Sequence, residues 1–371
     1  MNDGDSTIGL AAIGCGGFGL FALQQFAQTP GIQLCGMAGT ARPAARAAAQ
    51  RFGLDEIEDV DQLLASSSID LVYIATPPFL HYAQARQALE AGKHVICEKP
   101  MALTTEQADE LCEVAQRNDR LLVANQMQRY NDLFRNIARL VDEQPLGSVL
   151  HGYFENYASD EHLPADHWFW DRTKSGGIFI EHGVHFFDLV AGWLGPGQVA
   201  AAQAESRVDG AEDQVQCVVR YAGGVHFNFY HGFHQPGRLD RQELRLVFER
   251  GDVTLRGWVP TTAHVHGIVN ESQMRTLCEI FPQSRTDATS TYSGRDRECV
   301  GHGRRHDVYQ QFDLYWGDSR QKLPVYCELL RRLMADQTAW IRDRNHLRTV
   351  TEQNGRDALA LACAADRLAH L

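Results

Sequence analysis

Short apolar runs alternate with longer, mixed stretches from Ile8 to about Asn125. The runs predict five strands, at residues 8–13, 32–37, 71–74, 94–97 and 121–124. The stretches between them have the length of helices, and Thr104 and Gln107 begin one with the spacing of a capping box. Because strands that alternate with helices usually pair in parallel, this region predicts a mostly parallel sheet.

The pattern changes after Pro145-Leu146-Gly147, where longer strand-like runs follow at residues 215–221, 225–231 and 243–249. These runs predict an antiparallel sheet, with a hairpin turn at residues 221–225. Residues 261–321 are polar, contain glycines and are weakly periodic, so we expect long loops or an insertion rather than core. Two amphipathic helices are predicted at residues 324–342 and 351–371.

Length and charge narrow the possible architectures and partners. The chain of 371 residues exceeds the usual size of one hydrophobic core, so two domains are expected. The formal net charge of -12 argues against nucleic acid and against an anionic membrane surface, because binding to either requires basic patches. Small molecules are therefore the expected partners.

Neither an export signal nor a membrane anchor is expected. The most apolar stretch, residues 8–23, is interrupted by glycines, is too short to span a bilayer and follows Asp3 and Asp5. The nine cysteines include no C-x-x-C pair, which is typical of reduced thiols, so a cytoplasmic location is expected. Cys15 and Cys97 are expected to be small buried hydrophobes.

A glycine motif stands between the first predicted strand and the helix after it. Residues 14–19 read Gly-Cys-Gly-Gly-Phe-Gly, which matches G-x-G-x-x-G. In this context the motif predicts a dinucleotide site, because glycines allow a tight turn and amides at a helix N-terminus hold a pyrophosphate. The predicted contacts are Gly14, Gly16, Gly17, Phe18 and Gly19. A glycine-rich turn without a ligand is the alternative.

The end of the second predicted strand favours NADP over NAD. NAD-binding domains normally have an Asp or Glu there, which accepts hydrogen bonds from the ribose. This chain has Gly39, Thr40 and Arg42 instead. Thr40 could donate to a 2′-phosphate and Arg42 could pair with it. With Arg42 as an ordinary solvated residue, NAD stays possible.

Further motifs are Ala75-Thr76-Pro77-Pro78 with His81, Ala91-Gly92-Lys93-His94-Val95-Ile96-Cys97-Glu98-Lys99-Pro100, Asn125-Gln126-Met127-Gln128-Arg129-Tyr130, and the stretch from Ser175 to Asp188. Together they resemble the glucose-fructose oxidoreductase / inositol dehydrogenase / MocA (Gfo/Idh/MocA) family, most specifically in Glu-Lys-Pro. The resemblance covers nearly the whole chain and thins after about Thr261. It implies an α/β fold, with a Rossmann domain at residues 1–126. A substrate-binding and dimerisation domain, α+β with a large, mostly antiparallel open sheet, is expected at 127–371.

The resemblance also implies cofactor contacts from Ala75, Thr76, Pro77, His81, Glu98, Lys99 and Gln126. It directs Lys99 toward the nicotinamide, beside an X-Pro bond that is usually cis in the family. The sequence agrees in part, because Lys99 follows the apolar run 95–97 and doubly wound sheets bind ligands at the carboxyl ends of strands. A solvent-exposed loop cation is the alternative.

Glu181, His185 and Asp188 have the spacing i, i+4, i+7, which predicts one face of a helix. Because their neighbours are mostly apolar, this stripe is expected to line a cleft. In the family an acid and a histidine four residues apart work with the lysine of Glu-Lys-Pro, which matches Glu181 and His185. The acid is usually Asp, so Glu181 departs from the pattern by one methylene.

His182 and His185, with Glu181 and Asp188 nearby, could also indicate a metal. We predict none, because no second cluster has ligand spacing and hydride transfer needs no metal. The candidate substrate residues are Arg129, Tyr157, Trp168, Trp170 and Asp188. For all of these except Asp188, packing beneath loops is an equal alternative.

The predicted activity is hydride transfer between NADP or NAD and the hydroxyl or keto carbon of a sugar, cyclitol or similar polyol. His185 is expected to exchange the hydroxyl proton, Lys99 to stabilise alkoxide charge, and Glu181 to orient His185 or bind a neighbouring hydroxyl. One alternative is a glycosidase that uses bound cofactor in a transient redox cycle, as some family members do. Another is a non-catalytic nucleotide-sensing protein. The open sheet also predicts a homo-oligomer, a dimer or a tetramer.

Overall fold

The computed structural model describes residues 7–14, 16–39, 42–54, 59–207, 210–301 and 303–371, with the backbone alone for Arg42, Ala44 and Ala45. The chain packs into two compact units. The first comprises Met1–Tyr130, Ala165–Asp188 and Tyr326–Cys363, and the second comprises Asn131–Pro164, Leu189–Val325 and Ala364–Leu371. The predicted division into domains 1–126 and 127–371 concerns folding and stays a prediction.

A parallel sheet forms the centre of the first unit. Its strands are β1 (Ile8–Ile13), β2 (Ile32–Ala38), β3 (Leu71–Ile74), β4 (His94–Cys97) and β5 (Leu122–Ala124). They pair in the order β2-β1-β3-β4-β5, and every pair is parallel. β1, β3, β4 and β5 are buried along their whole length, as is typical of parallel sheets. All five strands predicted from the apolar runs are confirmed.

Helices follow these strands, as the alternating pattern predicts. They are α1 (Gly17–Phe26), α2 (Arg42–Arg51), α3 (Val60–Ala65), α4 (His81–Glu90) and α5 (Thr105–Arg117). The cap of α5 is confirmed in part, because the Thr104 side chain accepts a hydrogen bond from the Gln107 amide. The Gln107 side chain accepts from the Leu103 amide, one residue before the position that a capping box uses.

The second unit is built on a nine-stranded sheet. The strands of this unit are β6 (Val149–Ser159), β7 (Gln198–Ser206), β8 (Glu212–Arg220), β9 (His226–Gln235), β10 (Arg241–Phe248), β11 (Gly251–Arg256), β12 (Thr262–Val269), β13 (Arg285–Thr291), β14 (Glu298–Gly301), β15 (Arg304–Asp307) and β16 (Gln310–Gly317). The large sheet has the order β13-β16-β12-β11-β10-β6-β9-β8-β7, and β14 pairs with β15 separately. Within the large sheet only β6 and β9 pair in parallel among the described strands. The mostly antiparallel sheet and the hairpin between β8 and β9 are confirmed.

Side chains along this sheet alternate between a buried and a more exposed face. On β6, for example, Phe154 and Asn156 are buried, whereas Tyr153 and Tyr157 are partly exposed. Such alternation is typical of an antiparallel sheet that is covered on one face. This unit also contains α6 (Asp132–Glu143) and α9 (Glu271–Ile280).

The prediction of loops outside the core at residues 261–321 is wrong. β12 and β16 are neighbours within the large sheet, and Val265, Phe312 and Leu314 are fully buried. Polar residues such as His264 and Asp313 occupy the alternate, more exposed positions. The polar residues on the exposed face give these strands an overall composition like that of a loop. The alternation of buried and exposed side chains nevertheless has the period of two that is typical of a strand.

The segment around Glu181 differs from the single α-helix that its spacing predicts. α7 (Arg172–Ser175) ends at two glycines, Gly176 and Gly177, whose φ angles are 83° and 94°. A π-helical turn follows at Phe179–Gly183 and leads into α8 (Val184–Leu194). A π turn contains more residues than an α turn, so the segment that carries Glu181 is not the regular α-helix that the spacing predicts.

Two helices close the chain, as predicted. They are α10 (Lys322–Arg342) and α11 (Glu352–Ala369). Across the described ranges, no helix combines the length and the apolar character that crossing a membrane requires.

Candidate active site

The glycine turn lies at the carboxyl end of β1, where the strand order reverses between β2 and β3. Gly14 has a φ of 108°, and a Cβ on it would lie 2.5 Å from the Ala75 carbonyl oxygen. A Cβ on Gly19 would lie 2.6 Å from the Cβ of Ala75. Neither position has room for a Cβ, so only glycine fits at Gly14 and at Gly19. The two glycines thus allow the start of α1 to pack closely against the end of β3.

Gly16 and Gly17 are exposed, and a Cβ on either would meet no atom within 4 Å. Gly16 caps the N-terminus of α1, so this open space adjoins the helix amides that can hold a phosphate. Phe18 is 38% exposed and its ring packs against Phe21 and Tyr326. A tight turn, a close helix and an open backbone together fit the pyrophosphate of a dinucleotide.

The residues predicted to select NADP are described only in part. Gly39 follows the buried end of β2 and is partly exposed. Thr40 lies outside the described residues, and of Arg42 only the backbone is described, at the start of α2. The preference for NADP stays a prediction.

Lys99 follows β4 and is joined to Pro100 by a cis peptide bond, as the family resemblance implies. Its Nζ donates to Glu181 Oε1 and to the Glu181 backbone carbonyl oxygen, each at 2.6 Å. The Lys99 and Glu181 side chains are 15% and 13% exposed, so water screens this ion pair only weakly. Because an ammonium has three N–H donors, one remains beyond these two contacts for a ligand.

Glu98, just before Lys99, is buried and accepts two side-chain hydrogen bonds. Tyr73 Oη donates to Glu98 Oε1 at 2.6 Å, and Asn125 Nδ2 donates to the same oxygen at 2.7 Å. Burial raises the pKa of Glu98, while the two donors and Lys99 oppose the rise. Neither Tyr73 nor Asn125 is among the site residues predicted from the sequence. The available signal was a phenol inside an apolar strand, because a buried hydroxyl requires a partner.

Ala75, Thr76 and Pro77 follow β3 and are partly exposed. The Thr76 hydroxyl donates to Gln84 Oε1 at 2.6 Å. His81 and Gln126 are each 1% exposed. The predicted cofactor contacts of these residues stay predictions.

His81 bridges the segments that follow β3 and β4. Its Nε2 lies 2.6 Å from the Thr76 carbonyl oxygen, and its Nδ1 lies 2.7 Å from the Pro100 carbonyl oxygen. This ring therefore links two of the motifs that carry the family resemblance.

His185 is buried near Lys99. Burial lowers the pKa of His185 well below its ordinary value, and the charge of Lys99 lowers it further. Burial therefore favours the neutral imidazole, in which one nitrogen can donate and the other can accept a hydrogen bond.

Asp188 pairs with Arg129 rather than joining Glu181 and His185. The Arg129 Nε and Nη2 donate to the two Asp188 carboxylate oxygens at 2.9 Å and 2.8 Å, and Nη2 also donates to the Asp188 carbonyl oxygen. Burial raises the pKa of Asp188, and Arg129 opposes the rise. This bidentate pair fixes α8 to the segment after β5, and the predicted substrate contact of both residues is untested.

The aromatic candidates fall into different units. Trp168 and Trp170 belong to a short 3-10 helix of the first unit, just before α7, and both are partly exposed. Tyr157 belongs to the second unit, where its hydroxyl donates to Glu155 and the Arg241 guanidinium lies 4.4 Å from its ring. Their predicted substrate contacts are likewise untested.

One group of three possible metal ligands occurs within the described part of the chain. It consists of Glu212, Asp366 and His370, in the second unit. It includes neither His182 nor His185. The prediction that the chain binds no metal stays a prediction.

Family models match both halves of this architecture. Residues 8–126 match the model described as "Oxidoreductase family, NAD-binding Rossmann fold" of Gfo/Idh/MocA, and residues 134–254 match the Gfo/Idh/MocA C-terminal domain.

Curated relatives match over part of their length. An uncharacterized oxidoreductase of Synechocystis is 34% identical, over 39% of each chain. A dTDP-3,4-didehydro-2,6-dideoxy-alpha-D-glucose 3-reductase of Streptomyces violaceoruber is 30% identical, over 57% of this chain and 60% of the reductase. The matched region thus spans about two-fifths to three-fifths of these relatives.

Similarity of fold extends over the whole chain. The WlbA dehydrogenase of Bordetella pertussis, solved with NADH and UDP-GlcNAcA, has a TM-score of 0.78 and 19% identity, and the match covers 100% of this chain and 97% of WlbA. The two family models together span most of the chain and show that it belongs to the Gfo/Idh/MocA oxidoreductase family, with the NAD-binding Rossmann domain of that family at residues 8–126.

Proposed function

We propose that the chain is an NAD(P)-dependent dehydrogenase or reductase that acts on the CH–OH group of a sugar, cyclitol or similar polyol. The observation that carries this proposal is the Lys99–Glu181 pair at the carboxyl end of β4. It belongs to the same compact unit as the open glycine turn. A bound nicotinamide would accept or donate the hydride.

Lys99 is proposed to hold the reacting oxygen. Two of its N–H groups donate to Glu181, which directs the ammonium and leaves the third for the substrate. In alcohol oxidation this donor stabilises the negative charge that develops on oxygen as the hydride leaves. Glu181 orients the lysine, a role different from the two that the sequence predicts, which are to orient His185 or to bind a neighbouring hydroxyl.

His185 is proposed to exchange the hydroxyl proton. Its imidazole is held neutral by burial beside Lys99, so it can accept the hydroxyl proton in alcohol oxidation, and the resulting imidazolium can return that proton when a ketone is reduced.

The substrate class rests on the relatives and on the aromatic segment. The name of the Streptomyces reductase specifies a dTDP-linked sugar, and WlbA was solved with a UDP-linked one. Trp168 and Trp170 are partly exposed in the first unit and could stack on the apolar face of a sugar ring. Arg129 and Asp188, whose ion pair fixes α8 to the segment after β5, are proposed as further substrate residues.

The glycosidase and the nucleotide-sensing alternatives give different results in one assay. Purified protein is mixed with reduced or oxidised cofactor and a panel of keto-sugars, polyols and glycosides, and the absorbance of reduced nicotinamide is followed. The proposal expects stoichiometric absorbance change with a ketone or an alcohol. Release of sugar from a glycoside without net change would support the glycosidase, and cofactor binding without either would support the sensor.

The preference for NADP is proposed from Gly39, Thr40 and Arg42. NADPH should bind more tightly than NADH, and Gly39→Asp should narrow or reverse the difference, because a carboxylate repels a 2′-phosphate and accepts from a ribose hydroxyl. Cofactor fluorescence titration measures both affinities. Equal affinities in the wild type would contradict the proposal.

A homo-oligomer is also proposed, because one face of the large sheet keeps partly exposed side chains such as Tyr153 and Tyr157. Light scattering of the purified chain measures the mass in solution, and a monomer would exclude the dimer and the tetramer.

A cytoplasmic location is proposed because the nine cysteines include no C-x-x-C pair, which is typical of reduced thiols.

A further inference from the structure

His81 has a ring geometry that the proposed chemistry does not explain. Both of its nitrogens face backbone carbonyl oxygens, Thr76 O at 2.6 Å and Pro100 O at 2.7 Å. A carbonyl oxygen accepts a hydrogen bond and cannot donate one. A neutral imidazole has one N–H, so its other nitrogen would direct a lone pair at an oxygen within hydrogen-bond distance.

We propose that His81 is a buried imidazolium that ties the segment after β3 to the Lys99-Pro100 turn and thereby positions Lys99. Only the doubly protonated ring donates from both nitrogens. Both contacts have the length of charge-assisted hydrogen bonds, and a contact between two lone pairs would open to a longer distance.

Other forces act on this charge in both directions. Burial is the largest effect and lowers the pKa of His81, and the hydrogen bonds to Pro100 and Thr76 raise this pKa without reversing the lowering. Of the charged neighbours, Lys99 opposes a second proton and Glu181 favours it. The start of α4 also disfavours a cation, because helix amides point toward it. We give the two short contacts more weight, because no neutral form of the ring satisfies both.

His94, at the other end of β4, shows the opposite arrangement. Its Nδ1 accepts a hydrogen bond from the Leu121 amide at 2.9 Å, so that nitrogen has no proton. Burial, helped by Arg344 and Arg120, lowers the pKa of His94 to about 3. The chain thus provides a buried neutral histidine as a matched control.

The charge on His81 matters because the Pro100 carbonyl belongs to the turn that holds Lys99. Through the two contacts of His81, the segment after β3 and the Lys99-Pro100 turn restrain each other. The charge proposed for His81 follows from the ring contacts and does not depend on the proposed function. The proposed positioning of Lys99 for hydride transfer rests on that function.

Nitrogen NMR of the full chain, labelled with 15N-histidine and free of cofactor, tests the charge state. At pH 7.5 an imidazolium gives two nitrogen signals close together, and a neutral ring gives two widely separated ones. The variants His81→Gln and His94→Asn assign the two residues. We expect the close pair for His81 and the separated pair for His94, and a separated pair for His81 would overturn the proposal.

A second measurement tests positioning. His81→Gln keeps one amide donor and loses the charge, so single-turnover hydride transfer at saturating cofactor should fall about tenfold to a hundredfold. An unchanged rate would refute the positioning role while leaving the NMR result intact. If the wild type shows no hydride transfer with any substrate, the proposed function fails, and the NMR result still decides the charge of His81.

Discussion

The two units place their charged groups differently. In the first, Lys99 and Glu181 are 15% and 13% exposed and stand at the end of a buried strand. In the second, pairs such as Arg256 with Glu243, 66% and 32% exposed, lie across the open face of the large sheet. Exposed pairs contribute little because solvent screens them. A shielded pair is strong enough to orient a reacting group.

The same contrast appears among the histidines. His185 is buried in the first unit and its pKa is strongly lowered. His264 and His266 in the second unit are partly exposed, and both contact Asp313 Oδ1. Burial alone does not mark a site, because His231 of the second unit is also fully buried and its pKa is lowered to about 3. His185 differs in having the charge of Lys99 beside it, and this places the expected chemistry in the first unit.

The largest effect should come from removing the proton-transfer groups of the first unit. His185→Ala should slow single-turnover hydride transfer by about a hundredfold to ten-thousandfold, and Lys99→Met should act similarly. Glu181→Gln should cost less, because it weakens the orientation of Lys99 without removing the ammonium. His264→Ala, on the sheet of the second unit, is the matched control. A wild-type rate for His185→Ala would show that another residue exchanges the proton.

A core substitution tests whether β16, within residues 261–321, has a buried face that stabilises the second unit. Phe312 on β16 is fully buried, so Phe312→Ala should lower the free energy of unfolding by about 3–5 kcal/mol. Gln311→Ala changes the neighbouring position on the more exposed face and should have a small effect, within about 0.5 kcal/mol. Urea unfolding measures both. Equal losses would mean that β16 does not have one buried face.

Within the first unit, two glycines of one motif should separate binding from stability. Gly19→Ala places a Cβ 2.6 Å from that of Ala75 and should destabilise the fold by about 1–3 kcal/mol. Gly16→Ala meets no atom of the chain, so the fold should keep its stability. Its methyl would occupy the space for the pyrophosphate and should weaken cofactor binding at least about tenfold. Thermal unfolding and fluorescence titration distinguish the two, and unchanged cofactor affinity for Gly16→Ala would place the phosphate elsewhere.

The sequence predicted the first unit well because its physical signals are local. Buried parallel strands such as β3 and β4 are continuous apolar runs, and Gly14 and Gly19 follow from the tight turn itself. β12 and β16 were missed because their solvated positions include His264, His266 and Asp313, which give the stretch a polar composition although its side chains alternate.

Contacts made by folding could not be predicted in the same way. The bond from Tyr73 to Glu98 joins residues 25 apart, and the pair of Arg129 with Asp188 joins residues 59 apart. The π-helical turn at Phe179–Gly183 also has no sequence period of its own. It replaces one turn of the α-helix that the spacing of Glu181 and His185 predicts.

The smallest expected effect concerns the buried histidine at the amino end of β4. Because the pKa of His94 falls to about 3 in the folded chain, the unfolded chain binds this proton first as the pH falls below about 6.5. Stability should therefore decrease from there toward pH 3, with a contribution of about 1.4 kcal/mol from His94 at pH 5.5.

His94→Asn keeps an acceptor for the Leu121 amide and removes the titrating ring. Between pH 7.5 and pH 5.5 its free energy of unfolding should fall by about 1.4 kcal/mol less than that of the wild type. His226→Asn changes an exposed ring of the second unit and should leave the wild-type slope. Urea unfolding at the two pH values gives all three slopes. A wild-type slope for His94→Asn would mean that His94 binds its proton equally in the folded and unfolded chain, and burial at the amino end of β4 would then not affect proton binding.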